Sequence, residues 1–156
     1  MADTVSERLA ELGIELPQVA APVATYVPAV RSGNYIYTSG QLPFVNGALP
    51  VAGKVGEGDG LVTPAAAANL ARISALNALA AIKALTGTLD DVKRVVKVVG
   101  FVASDPNFTG QPAVINGASQ ILGDIFGEKG VHARSAVGVA VLPLDSPVEV
   151  ELIVEV

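Results

Sequence analysis

The segment Asp91–Ser104 (DVKRVVKVVGFVAS) constrains the fold most. It has the pattern of one long strand, dense in valine, whose branched Cβ suits a pleated surface. Asp105-Pro106 ends it. Lys93 and Lys97 are expected to share one face with Val95 and Val99, so that face is only partly dry. A strand this apolar needs a sheet around it and cover for its faces.

The other segments supply both. Thr63 can cap a helix and Pro64 fits its first turn, so a helix is expected from there to about Thr86, ended by Gly87. At 100° per residue Asn69, Arg72 and Lys83 fall on one side, and Leu70, Ile73, Ala81, Ala84 and Leu85 on the other. Pro112–Phe126 has the pattern of a second helix, closed by Gly127. Residues 34–39 (NYIYTS) read as a strand, and Asn46-Gly47 is a strong hairpin signal, so 35–40 and 42–52 are expected to pair or to form a strand and its bend. The Pro- and Ala-rich stretch 16–30 is an extended lead-in, and Ser6–Leu12 a short amphipathic helix. Gly53–Gly60 is a Gly-rich loop. Ala133–Leu142 and Pro147–Val156 are two further strands. The order is β-β-α-β-α-β-β, which predicts an α+β domain with one mixed sheet and two helices on one face. The 156 residues suit a single domain.

Two helices leave the second sheet face bare, to be solvated or buried by other copies of the chain. The composition favours burial: 51% of residues are hydrophobic and only 16% charged. Self-association is therefore expected. The net charge of −5 disfavours nucleic acid, whose phosphates require a basic stripe. Without cysteine, disulfides, thiolate-bound zinc and thiol catalysis drop out. The N-terminal segment lacks the apolar core of a signal peptide, so a cytoplasmic location is expected. Residues 61–86 are apolar, but Asn69, Arg72, Asn77 and Lys83 interrupt them and argue against a membrane span.

The Gly53–Gly60 stretch matches neither common nucleotide-loop pattern. His132 is the only histidine, which leaves no histidine-based metal cage; it reads as a polar residue at a strand start. Attention falls on the last two strands. Arg134 shares its face with Ala136, Gly138 and Ala140, a floor of small side chains that leaves room for a small ligand. A salt bridge to Glu151 or Glu155 is the competing account. In the last strand Val148, Val150, Leu152 and Val154 form one face, and Glu149, Glu151, Ile153 and Glu155 the other. Three carboxylates on one face also suit plain solvent exposure. If the two strands form a hairpin, Arg134 and Glu149 lie about six residues apart, roughly 20 Å. They could then share a small substrate only across a subunit boundary.

The residues HARS (132–135), Leu142-Pro143 and VEVE (148–151), with SGNYIYTSGQ (32–41) and Asn116, resemble the RidA (YjgF) family of reactive-intermediate deaminases. The match runs from about Tyr26 to Val156, with residues 1–20 as an N-terminal extension. The resemblance implies a chorismate-mutase-like fold and a homotrimer with sites at subunit interfaces. It implies hydrolysis of small 2-imino or enamine acids to 2-keto acids and ammonia, without cofactor or metal. Under it, Arg134 grips the substrate carboxylate, Glu149 handles water, and Tyr26, Ser39 and Asn116 line the pocket. Two alternatives stand beside it: a trimeric protein that binds a small carboxylate without turnover, and an endoribonuclease. Ala136 and Gly138 depart from the family pattern, which implies a divergent subgroup with a roomier pocket.

Overall fold

Residues 2–19 and 25–156 are described by the structure, a computed structural model. The elements run α1 (Val5–Glu11), β1 (Ala29–Ser32), β2 (Tyr35–Thr38), α2 (Pro64–Thr86), β3 (Arg94–Ala103), α3 (Gln111–Phe126), β4 (Ala133–Val139) and β5 (Val148–Glu155). After α1 this is the expected β-β-α-β-α-β-β order. The strands form one mixed sheet in the order β1-β2-β5-β3-β4, and the fold is α+β.

Local chemistry sets α2 at both ends. The Thr63 hydroxyl accepts from the Ala66 backbone N–H, Pro64 opens the first turn, and Gly87 closes the helix at φ 84°. By length and composition α2 could cross a membrane, yet 61% of its most apolar stretch is buried inside the fold. Ala84 and Leu85, expected on the inner side, are exposed in the last turn. Helix α3 lies against α2 so closely that a side chain on Gly117 would collide with the Ala68 carbonyl oxygen. Both helices cover the same sheet face, where Ile36, Val95, Val98, Val102, Val148, Val150, Leu152 and Val154 are buried.

Three expectations change. First, β4 and β5 do not pair. Strand β3 lies between them, parallel to β4 and antiparallel to β5. Leu144 and Asp145 take positive φ (58° and 56°) in a tight 3-10 turn, and the chain crosses the end of β3 instead of folding back beside β4. Second, the N-terminal hairpin joins β1 to β2 through Gly33-Asn34, so part of the proposed lead-in is a strand. Residues 20–24 of that lead-in lie outside the described residues. Asn46-Gly47 does make a tight turn at φ 51° and 82°, but only Val45 and Ala48 bridge across it. The segment beside it is held by the Asn77 amide, which donates to the Leu42 and Phe44 carbonyls. Third, a bulge between Val95 and Lys97 breaks the alternation of β3. Val95 turns inward, while Lys97 and Val99 stay on the open face.

Helix α1 docks onto the rest of the domain. Val5 and Leu9 enter its core. The Ser6 backbone N–H and hydroxyl donate to the Asp90 carboxylate, whose pKa this backbone contact lowers. Arg8 Nε donates to the Asp124 carbonyl at the end of α3.

Candidate active site

Arg134 lies on β4 opposite Val98, which places its side chain on the helix face. There α3 supplies three acceptors. Arg134 Nη1 donates to Asn116 Oδ1 at 2.8 Å and to Ser119 Oγ at 3.2 Å, and Nη2 donates to the Pro112 carbonyl at 3.2 Å. A guanidinium has five N–H donors. Two of them, Nε–H and one on Nη2, have no partner among the described residues. Both remain to be taken up by a ligand carboxylate in charge-assisted hydrogen bonds.

The floor of small residues beneath Arg134 is not empty. A side chain at Gly138 would meet Gln111 Nε2 at 2.8 Å and the Ser104 hydroxyl at 3.1 Å. The Gln111 amide itself donates to Ser104 Oγ and to the Phe108 carbonyl. Ala136 packs against the core. Beside Gly138 the Gln111 side chain thus takes up part of the space that the missing side chain leaves.

Glu149 lies on β5 opposite Phe101, on the face that the helices leave bare. Its place is prepared by a bulge. From Tyr37↔Ile153 to Gln41↔Val150 the β2 side advances four residues and β5 three. The Thr38 hydroxyl takes up the Leu152 N–H there. This swings Ser39-Gly40 against Glu149, and a Cβ on Gly40 would sit 2.1 Å from Glu149 Oε1. Only glycine leaves room for the carboxylate. Glu149 is partly buried, and desolvation, followed by the negative charge of Glu151, raises its pKa above the ordinary 4.5. The Ser39 hydroxyl donates to the Val27 carbonyl at 2.6 Å, and its N–H to Pro28, tying down the segment that carries Tyr26.

The expected site residues thus fall into two groups. Arg134 and Asn116 meet on the helix face. Tyr26, Ser39 and Glu149 belong to the surroundings of the bulge. Along β3 the two groups are three residues apart, about 10 Å, and two strand spacings separate them, again roughly 10 Å. They also face opposite ways, which rules out a salt bridge from Arg134 to Glu151 or Glu155. A cavity of about 470 Å³ between α1 and the end of α3 has neither Arg134 nor Glu149 in its lining. Sequence reasoning missed Ser119, His132 and Gly40 as members of these groups. Gly40 had a signal in its position after the strand, and Ser119 in its place three residues after Asn116, near one turn of helix on. His132 had none.

Comparison with known proteins agrees with this architecture. Residues 6–156 match the family model described as "YjgF/chorismate_mutase-like, putative endoribonuclease". Protein TCP17 of Trypanosoma cruzi is 46% identical over 152 residues, 97% of this chain and 93% of that protein. The crystal structure of Atu1372 from Agrobacterium tumefaciens superimposes with a TM-score of 0.85 at 45% identity, covering 99% of this chain and 92% of that one. E. coli TdcF, solved with bound serine, gives 0.62 at 26% identity, over 89% of this chain and 94% of that one. The chain belongs to the YjgF/RidA superfamily, whose members have diverse activities.

Proposed function

We propose that this protein hydrolyses small 2-imino or enamine acids to 2-keto acids and ammonia in the cytoplasm, at sites shared between the subunits of a homotrimer. The observation that carries this is the Arg134 guanidinium, fixed by three acceptors of α3 with two N–H donors left over. A small substrate carboxylate satisfies both. The serine held by TdcF is a ligand of that size and charge pattern. Water then adds to the C=N carbon of the protonated imine, which an enamine reaches by taking up a proton on carbon, while one proton of the water passes to Glu149. The carbinolamine nitrogen takes up that proton, the C–N bond breaks as the hydroxyl oxygen forms C=O, and the hydroxyl proton passes by way of Glu149 to the departing ammonia, which leaves as ammonium. The raised pKa of Glu149 suits it to hold and release a proton.

Within one chain the two groups face apart, so a shared site needs a second copy. The open sheet face supports such assembly. Val30, Tyr35, Tyr37 and Val137 lie on it and are each more than 40% exposed. An apolar sheet face of this kind is normally covered.

The direct test is ammonia release from freshly generated 2-aminoacrylate, with sedimentation to establish the assembly. Wild type should beat spontaneous hydrolysis, and Arg134→Ala should lose most of that advantage. A wild-type protein that never beats the spontaneous rate for any imino acid is a carboxylate-binding protein and not a deaminase. A monomer at micromolar concentration removes the shared site.

A further inference from the structure

We propose that His132, through Ser119, sets the direction of the hydrogen bonds that hold Arg134 in its carboxylate-binding pose, and so acts as a positioning residue. This rests on the reading of Arg134 as the carboxylate's partner. His132 Nδ1 lies 2.6 Å from the Gly130 carbonyl oxygen, and Nε2 lies 2.9 Å from Ser119 Oγ. A carbonyl only accepts, so the ring proton is on Nδ1. In the neutral imidazole Nε2 then carries a lone pair. Ser119 must donate its single proton to Nε2. Its lone pairs are thereby turned toward Arg134 Nη1, which donates to the same oxygen at 3.2 Å.

Without that acceptor the Ser119 proton is free to rotate toward the guanidinium, setting donor against donor. Nη1 would then keep only Asn116, and the two unpaired N–H groups would lose their fixed aim. A serine, a histidine and a carbonyl that orients the ring also have the outline of an activated nucleophile. Here, however, the serine's lone pair is already engaged by a cation that does not leave. The arrangement directs Arg134 and does not attack substrate.

His132 is the only histidine in the chain, so its ring nitrogens give the only imidazole signals in a ¹⁵N spectrum. In the full-length protein at pH 8 the Nδ1–H tautomer is expected; finding Nε2–H overturns the proposal. The second arm is the affinity for 2-ketobutyrate, a 2-keto acid of the product class, read by calorimetry. Ser119→Ala should weaken it about 10- to 150-fold, the loss expected for one hydrogen bond to a charged group. His132→Asn keeps a donor for Gly130 but places no acceptor at Ser119, and should lose as much. His132→Gln places an amide oxygen where Nε2 stood and should recover most of the loss. Equal losses in the Asn and Gln variants mean that His132 only anchors the local backbone, and overturn the proposal. If Arg134→Ala binds 2-ketobutyrate as tightly as wild type, the reading of Arg134 itself is what has failed, whichever tautomer the spectrum shows.

Discussion

Arg134 and Glu149 occupy opposite faces of the same sheet and are held by opposite means. Arg134 is fixed by the hydrogen bonds it donates to one helix, so its orientation is settled before any ligand arrives. Glu149 has no such partner among the described residues. It is placed by shape, against the bare backbone of Gly40, and held beside a second negative charge. A group that must bind profits from rigid, satisfied contacts, because less freedom is lost on binding. A group that must exchange protons profits from discomfort, because burial and like charge bring its pKa nearer to working pH.

That contrast is open to breakage. The largest expected effect is at Glu149. Glu149→Gln keeps the shape but cannot exchange a proton, so kcat should fall about 10²–10⁴-fold while 2-ketobutyrate affinity stays near wild type. A Gln variant with full turnover would make the carboxylate a bystander. Next is Gly40→Ala. The added methyl occupies the position of the carboxylate tip, so Glu149 must swing away, and kcat should drop about 10- to 100-fold with the melting temperature little changed. If stability falls and turnover does not, Gly40 serves the fold and not the acid–base group. The smallest effect is expected from Glu151→Gln. Because the Glu149 pKa is raised, activity should fall as pH drops through a value above the ordinary carboxylate range, where Glu149 becomes protonated. Removing the Glu151 charge should move that acid limb to lower pH, and only slightly, because desolvation is the larger cause of the shift. A shift to higher pH contradicts the cause assigned here.

How much of this was legible depended on whether the signal was local. Helix α2 could be read to the residue because Thr63, Pro64 and Gly87 each carry their own instruction. The face assignment of β5 could be read because its alternation is unbroken from Val148 to Glu155. Pairing could not. A four-residue link between two strands suggests a hairpin, and nothing in the sequence of Pro143–Ser146 says that β3 will lie between them. The bulges in β3 and after β2 were hidden for a related reason: each inserts one residue, and period-2 reasoning fails beyond it. At the site, the residue types of Arg134 and Asn116 were legible through the family resemblance. Their mutual hydrogen bond, and the Ser119–His132 contact behind it, depend on how α3 lies over β4. The carboxylate seat at Gly40 depends on the bulge, and so was hidden with it.

The place of β5 in the sheet order also bears on how the chain folds. It lies between β2 and β3, yet it is synthesised after both, and after β4. Until it arrives, the β1–β2 hairpin and the parallel β3–β4 pair are separate pieces with no ladder joining them. Their inner strand edges stay unpaired and open to mispairing. The closing step requires contacts of long sequence separation, which is intrinsically slow. Because β5 also carries Glu149, a folding intermediate without it would hold the Arg134 scaffold but lack the acid–base group.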